Sequence, residues 1–332
     1  MNYRVMLSIF AIGLFLTVGL SSYFSEQQQI KQATKESIQF RIDSFKQYVH
    51  LMTANNLAMR NSMLSHYKLA QQGNLKTPML DGLTLFAEHK VYGLSAIDTP
   101  NYAKDLNGTL TISAGIDINA PKIMHELAAA IALDAQLAAY VGEAKLAVWS
   151  YYMSKHNFFY LLPTLKVGLI VPSKEVYEKP FWTQSVPAAN PSGKQIVSAL
   201  YDDAAGAGLM VTITSPVTLG NEFLGIVGLD VGIGYMQSVL EIGDAVGESI
   251  LVDEEGFLVA RKGKLSPGDK YHSTELNTNH EWIEQNDAWI FSAPIQQNEV
   301  YFVHVLPKSA LMISAIEASL AVWLLISLGC VL

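Results

Sequence analysis

Apolar residues are concentrated at the two ends of the chain. Residues 5–24 contain no charged side chain, and residues 310–332 contain only Glu317. A helix of about 20 mostly apolar residues is long enough to cross the hydrocarbon core of a bilayer. The pattern therefore predicts two transmembrane helices, with residues 25–308 on one side of the membrane between them.

The first apolar segment has an alternative interpretation as a cleaved signal peptide. Arg4 precedes it, as in a signal peptide, but the residues after it offer no small-x-small cleavage site. We therefore favour an uncleaved anchor. Arg4 on the short N-terminal tail predicts a cytoplasmic N-terminus, so residues 25–308 are expected in the periplasm of a two-pass inner-membrane protein. The chain stops inside the second apolar segment, which leads us to expect a fragment or a boundary ahead of an output domain.

Residues 25–72 are polar and nearly free of glycine and proline, and they carry one apolar stripe. Its members recur at steps of three and four and are Ile38, Ile42, Phe45, Val49 and Met52. This period is typical of an amphipathic helix. The helix either packs on its own domain or forms a stalk between two copies of the chain, and the two alternatives are compatible. A homodimer through this helix and the transmembrane helices is expected.

The remaining residues mix strand-like and helix-like patterns. Alternation and turn residues predict strands or hairpins at 83–97, 110–116, 145–163, 210–216, 223–231, 249–260, 289–293 and 300–306. Helices are predicted at 121–142 and 235–246. The aromatic and proline-rich residues 177–191 are predicted to form a loop that could line a pocket. This order of elements predicts an α+β protein with two small sheets in series.

Composition and motif spacing exclude several functions. The chain has 22 Lys and Arg against 30 Asp and Glu, a net charge of −8, which argues against nucleic-acid binding. Its single cysteine, Cys330, lies in the second apolar segment, so residues 25–308 hold no disulfide and no thiolate metal site. The eight histidines show no metal-ligand spacing, and no nucleotide-binding loop or serine nucleophile motif is present. We therefore predict no catalytic residue, no metal and no cofactor.

Three motifs carry a resemblance to a known family. They are Tyr201-Asp202-Asp203, the strand Val-Thr-Ile-Thr-Ser-Pro-Val at 211–217, and Gly-Ile-Val-Gly-Leu-Asp at 225–230. Together they resemble the first module of double Cache (PAS-like) extracytoplasmic sensor domains. Leu-Val-Asp-Glu-Glu-Gly at 251–256 is similar to the hairpin that opens the second module. The resemblance covers about residues 25–305.

The resemblance implies a fold and a set of domains. The expected architecture is α+β, with a long N-terminal helix followed by two Cache modules with antiparallel sheets, flanked by two transmembrane helices. The implied segments are a cytoplasmic tip with the first transmembrane helix (1–24), a stalk helix (25–72), a membrane-distal module (73–234), a membrane-proximal module (235–308) and a second transmembrane helix (309–332).

The resemblance also implies a ligand site in the membrane-distal module. In Cache modules that bind amino acids, an R-x-W-Y element holds the ligand carboxylate, and two aspartates hold its ammonium group. The nearest match here is at 179–182, where Lys179 replaces the arginine and lacks its planar fork. The implied site residues are Lys179, Phe181, Trp182, Tyr201, Asp203 and Asp230. We expect a small cationic or zwitterionic ligand, an amino acid or an amine, with its positive end towards Asp203 and Asp230.

Structural roles are the alternative for each of these side chains. Asp203 has the residue type of a turn former, Asp230 could cap the residues after its strand, and Lys179 could be a solvated surface residue. Phe181 and Trp182 fit a protein core as well as a pocket wall. Four aromatic residues at alternating spacing, Trp149, Tyr151, Phe158 and Tyr160, are interpreted as cross-strand packing rather than as ligand contacts.

The function expected from these features is the sensory input region of a bacterial membrane receptor. The segments at 149–163 and 190–191 are similar to the branch found ahead of diguanylate cyclase (GGDEF) domains, so a diguanylate cyclase output beyond residue 332 is expected. Related sensors also precede histidine kinases and chemoreceptors. A membrane-anchored binding protein without an output domain is the remaining alternative.

Overall fold

The computed structural model describes residues 3–141, 146–271, 281–296 and 300–331. The chain divides into two compact units. The central unit comprises Gln47–Met236 and Ser266–Asp269, and the terminal unit comprises Met1–Lys46, Gln237–Leu265 and Lys270–Leu332. The predicted domain limits at residues 73, 235 and 309 stay a prediction.

Helix α1, Tyr3–Gln71, contains the predicted stalk helix and extends it towards the N-terminus. Ile38, Ile42, Phe45 and Met52 of the predicted stripe are buried, whereas Val49 is half-buried. The buried stripe continues through four further residues, which are Asn56, Met59, Met63 and Tyr67. The helix therefore packs on its own chain, as one of the two alternatives predicted.

Both apolar ends of the chain are helical. The first lies in α1, and the second forms α8, Lys308–Val331. Among the described residues, no helix combines the length and the apolar character needed to cross a membrane. That residues 5–24 and 310–332 cross a membrane stays a prediction.

The central unit is built around one antiparallel sheet of nine strands. Its order is β1-β2-β3-β5-β4-β9-β8-β6, and β7 pairs with β8. The strands are β1 Thr84–Phe86, β2 Val91–Ser95, β3 Thr109–Ser113, β4 Trp149–Ser154, β5 Phe158–Leu162, β6 Ile196–Val197, β7 Tyr201–Asp202, β8 Leu209–Leu219 and β9 Glu222–Gly232. Strands were predicted for all of these except β6 and β7, which are only two residues long.

The shorter helices differ from the prediction in several places. They are a 3-10 turn at Pro78–Gly82, α2 Pro100–Ala103, α3 Pro121–Ile131, α4 Asp134–Val141, α5 Lys174–Tyr177, α6 Pro180–Thr183 and α7 Ile233–Leu240. The last of these, α7, begins in the central unit, continues into the terminal unit, and ends six residues before the end of the helix predicted at 235–246. The single helix predicted at 121–142 is wrong, because the chain breaks between α3 and α4. Asp134 starts α4 and accepts hydrogen bonds from the backbone and side chain of Asn107 and from the Tyr160 hydroxyl. The predicted loop at 177–191 includes the helical turn α6.

The terminal unit contains a five-stranded antiparallel sheet with the order β11-β10-β14-β13-β12. The strands are β10 Glu248–Asp253, β11 Leu258–Arg261, β12 Ile283–Gln285, β13 Ala288–Gln296 and β14 Val300–Pro307. The predicted hairpin at 249–260 is present, and Asp253 Oδ1 stabilises its turn by accepting from the N–H groups of Glu255 and Phe257. The prediction of an α+β chain with a long N-terminal helix and two antiparallel sheets is confirmed.

Candidate ligand site

A cavity of about 50 Å³ lies on one face of the central sheet. Its walls are mostly apolar and come from alternate residues of β4 and β5 and from the 170–181 segment. The apolar lining side chains are Trp149, Tyr151, Met153, Phe159, Leu161, Ile170, Val176 and Phe181. Polar lining residues are Lys179, Tyr201, Asp203 and Asp230, and the Trp149 and Tyr151 side chains add one polar atom each. An apolar cavity with a few convergent polar groups is the usual form of a small-molecule site.

Strand register decides which side chains face the cavity. In the β4–β5 hairpin, Tyr151 is paired with Leu161, and on its other side Tyr151 is paired with Gly228 of β9. Because side chains alternate along a strand, one face of the hairpin lines the cavity and the other face is buried elsewhere. A Cβ atom at position 228 would lie 2.4 Å from Cζ of Tyr151. Glycine at 228 therefore makes room for the Tyr151 ring.

Replacing Gly228 with alanine is expected to destabilise the protein by about 1–3 kcal/mol, because the ring of Tyr151 has to move in a packed environment. Urea denaturation of the purified chain measures the effect. Gly234→Ala is the control for added volume, since a Cβ there meets no atom within 4 Å, and its position in α7 leads us to expect unchanged or slightly higher stability. A Gly228→Ala variant as stable as the control would contradict the close approach of Tyr151 to β9.

Asp230 is the buried charge of the site, with 4% of its surface exposed. The Thr212 hydroxyl donates to its Oδ1 at 2.8 Å, and the Tyr201 hydroxyl lies 2.8 Å from the same Thr212 oxygen. Because Thr212 uses its one proton on Asp230, Tyr201 is the donor in the second bond. Burial raises the pKa of Asp230 to about 7, against the effect of the Thr212, Tyr151 and Tyr201 hydroxyls, and the negative charge of Asp203 raises it further.

Two further polar atoms of the cavity lining lack a partner. Trp149 Nε1 and the Tyr151 hydroxyl are buried and have no partner within 3.5 Å among the described residues, although the Tyr151 hydroxyl lies near enough to Asp230 to lower its pKa. Burial raises the pKa of the Tyr151 hydroxyl well above its usual value, so it stays protonated and is available as a donor. Buried polar groups are almost always hydrogen-bonded in native proteins. Two free donors beside a buried carboxyl group are therefore features that a bound ligand would explain.

The remaining polar residues lie at the edge of the cavity. Lys179 Nζ donates to the carbonyl of Asp202 at 3.1 Å. Asp203 Oδ2 accepts from the N–H of Ala207 at 2.8 Å, which is the turn-forming role considered for it from the sequence. Both side chains are half-buried and still line the cavity. A cation and an anion are therefore available at the rim, above the buried Asp230.

The structure brings together five of the six predicted site residues. Lys179, Phe181, Tyr201, Asp203 and Asp230 line the one cavity. Trp182 is not among the lining residues. Its ring packs between those of Tyr177 and Phe223, with centroid distances of 4.6 and 5.7 Å. That the five residues bind a ligand stays a prediction.

Sequence reasoning missed most of the apolar lining. Trp149 and Tyr151 were interpreted as packing residues together with Phe158 and Tyr160, but only the first two line the cavity. In the hairpin register Tyr160 pairs with Tyr152, so Phe158 and Tyr160 belong to the opposite face from Tyr151. The position of the turn could have separated the two pairs, because it fixes which residues of β4 and β5 lie opposite each other and therefore which share a face of the sheet. Asn157 has a φ of 55°, a conformation that marks the reversal between the strands.

Comparisons with known proteins give structural neighbours only. No protein family profile matches the sequence, and no curated protein resembles it significantly in sequence. The ligand-binding domain of Mlp24, solved with asparagine, is 13% identical with a TM-score of 0.50, and the match covers 88% of this chain and 99% of that one.

Two further neighbours are ligand-binding domains of chemoreceptors from Pseudomonas. The PctB domain of Pseudomonas aeruginosa PAO1, in complex with L-Gln, is 18% identical, with 50% of this chain and 70% of that chain covered and a TM-score of 0.40. The domain of CtaA from Pseudomonas fluorescens, in complex with L-serine, is 15% identical, with 53% and 80% covered and a TM-score of 0.41. The likeness to Mlp24 supports a double Cache type of fold, and it bears on no output domain.

Proposed function

We propose that this chain is the sensory input region of a receptor and that the cavity of the central unit binds a small amino acid or amine. The observation that carries the proposal is the buried Asp230 in an otherwise apolar and aromatic cavity. A carboxylate held there without a cation is costly, and a ligand ammonium group would supply the missing charge. The neighbours solved with asparagine, glutamine and serine support this class of ligand.

The lining offers complementary contacts for the rest of such a ligand. The aromatic rings of Trp149 and Tyr151 can face the ammonium group and attract it through their π-systems. Their free N–H and O–H groups can donate to ligand oxygens, and Lys179 at the rim can hold a carboxylate as a point charge. Asp203 lies near enough to Asp230 to share the positive end of the ligand, since its charge acts on the pKa of Asp230.

The size of the cavity restricts the ligand. One water molecule occupies roughly 10–15 Å³ on the same measure of volume, so 50 Å³ accommodates only a few non-hydrogen atoms without movement of the walls. We therefore expect glycine, alanine, serine and short primary amines to bind better than amino acids with long or branched side chains. Calorimetric titration against a panel of amino acids and amines tests this ranking. Failure of every member to bind would refute the proposal.

Affinity is expected to depend on pH. A cation binds the ionised form of Asp230, and the pKa of the unliganded group is raised to about 7. Protonation competes with the ligand below this value, so affinity is expected to be about tenfold lower at pH 6 than at pH 8. Dissociation constants measured at the two pH values check the effect. Equal affinity at the two pH values would show that the ionisation of Asp230 does not control binding.

Signalling would arise from a shift between two states of the receptor. The ligand stabilises the conformation in which its contacts are complete, and the population moves towards that state. A diguanylate cyclase output remains a proposal that rests on the sequence resemblance, and the chemoreceptor alternative fits the structural neighbours. We also propose a location outside the cytoplasm and a homodimer. Exposed Phe40, Leu51 and Leu69 on α1 support a second copy of the chain as the partner of this helix.

A further inference from the structure

A second cavity, of about 350 Å³, lies within the terminal unit and has a different chemistry. Its lining includes Arg41 from α1, the loop between α7 and β10, and Ser249 of β10. It shares no residue with the cavity around Asp230. A ligand in the second cavity is therefore independent of the amine or amino acid proposed for the first.

Arg41 is the distinctive group of this cavity. Its side chain is buried, with 4% of its surface exposed. Nε donates to the carbonyl of Ile242 at 2.7 Å, Nη2 to the carbonyl of Gly243 at 3.2 Å, and Nη1 to the hydroxyl of Ser249 at 2.8 Å. These bonds use three of the five N–H groups of a guanidinium. All three acceptors are neutral.

The neutral network continues behind Ser249 and fixes the position of Arg41. Ser249 Oγ lies 2.8 Å from Nδ1 of His304, and Nε2 of His304 donates to the carbonyl of Val246 at 2.9 Å. Burial lowers the pKa of His304 to about 4, so the imidazole is neutral and Nδ1 accepts from Ser249. The donor and the acceptor of each hydrogen bond in the network are therefore defined. None of these groups is an anion.

The two carboxylates that line the cavity are each in contact with a cation other than Arg41. Lys262 pairs with Glu241 at 3.4 Å, and Arg261 pairs with Glu248 at 2.8 Å. Among the described residues, no carboxylate lies within 4 Å of the Arg41 guanidinium. Buried charges in proteins are normally paired or bound to an ion. Arg41 therefore has no counter-charge in contact, although the negative charge of Glu241 acts on it from a greater distance.

We propose that this cavity is a second binding site, which takes a small monocarboxylate on the guanidinium of Arg41. A planar carboxylate matches the two N–H groups that remain on Nη1 and Nη2. A single negative charge balances the single unpaired cation. Inorganic phosphate is disfavoured, because its second charge would meet Glu241 and Glu248, both of which line the cavity.

Titration of the whole chain with acetate, pyruvate and inorganic phosphate, followed by calorimetry and by the ¹⁵N resonances of arginine side chains, tests the proposal. The carboxylates are expected to bind and to shift the Arg41 resonances. Arg41→Lys keeps the charge but loses the fork, so affinity is expected to fall at least tenfold. Ala245→Leu fills the cavity from a residue that makes no bond to Arg41, and it is expected to abolish binding. Lys264→Gln removes an exposed cation outside the cavity and is the matched control.

Three results would overturn the proposal. They are no binding of either carboxylate, tighter binding of phosphate than of the carboxylates, and carboxylate binding that Ala245→Leu leaves unchanged. The Ala245→Leu variant and the wild-type resonances decide the question even when Arg41→Lys does not fold. Unchanged carboxylate binding in Asp230→Asn is expected, since Asp230 lies in the central unit.

Discussion

Asp230→Asn is expected to weaken binding of a small amine or amino acid about 100-fold or more. Asparagine has nearly the same shape and can still accept the Thr212 hydrogen bond, so the cavity keeps its walls. The variant removes the negative charge that faces the ligand ammonium group. Loss of one partner of a buried, hydrogen-bonded charge pair costs about 2–5 kcal/mol. Calorimetric titration of the wild type and the variant at pH 8 measures the difference.

Two neighbouring aspartates provide the comparison for this experiment. Asp203→Asn is expected to weaken binding less than Asp230→Asn, because Asp203 lies at the rim and is half-buried. Asp202→Asn is the matched control, since Asp202 is exposed and does not line the cavity. If Asp230→Asn bound as tightly as Asp202→Asn, the buried carboxylate would have no part in binding and the structural alternative would hold.

The same substitution is expected to stabilise the unliganded protein, increasingly as pH rises. The pKa of Asp230 is raised from 3.8 to about 7 on folding, so between these values the folded state binds more protons than the unfolded state. The wild type therefore loses stability as pH rises through this window, whereas the asparagine variant has no such loss. The advantage of Asp230→Asn is expected to grow by about 3 kcal/mol between pH 5 and pH 8.

Urea denaturation of both proteins at pH 5 and pH 8, without ligand, measures this change. Asp202→Asn, at an exposed residue outside the cavity, again serves as the control. A constant difference between Asp230→Asn and the wild type at the two pH values would show that the carboxyl group is not raised in pKa. Charged residues that serve binding often lower the stability of the protein without ligand, because function and stability place different demands on the site.

Periodicity predicted the secondary structure correctly where local pattern and packing agree. The step of three and four in α1 and the alternation in β8 and β9 identified those elements. The break between α3 and α4 had no local signal, since no glycine or proline lies there. It depends on Asp134, whose partners Asn107 and Tyr160 are brought near only by the tertiary fold.

Site residues that belong to a sequence motif could be predicted. Residues that line the cavity only because they lie on one face of the central sheet could not. Asp230 and Asp203 were predicted as site residues because they match the motifs of the family that the sequence resembles, and both line the cavity. Alternation shows that Tyr151 and Tyr152 point to opposite faces of a sheet, but it cannot say which face holds a cavity. Trp182 was assigned to the site from its position in a motif, and its packing against Tyr177 and Phe223 depends on a local turn of helix.

Ligand binding would account for the burial of the Asp230 carboxyl group, which is energetically unfavourable in the empty cavity. Among the described residues, the Thr212 hydroxyl is the one donor within 3.5 Å of the Asp230 carboxyl group, the Tyr151 hydroxyl acts on it from further away, and Trp149 Nε1 has no partner. A ligand with an ammonium group and an oxygen would satisfy all of these at once. Binding energy would then come from groups that are poorly compensated in the empty cavity.

Proton release on binding tests the central claim most directly. Calorimetric titration of the wild type with glycine, alanine, serine and short amines is performed in two buffers of different ionisation enthalpy. Because Asp230 is mostly protonated at pH 6, binding of an ammonium group is expected to release about 0.9 protons per ligand at pH 6 and about 0.1 at pH 8. Binding with no proton release at pH 6, or no binding by any of these compounds, would contradict the account.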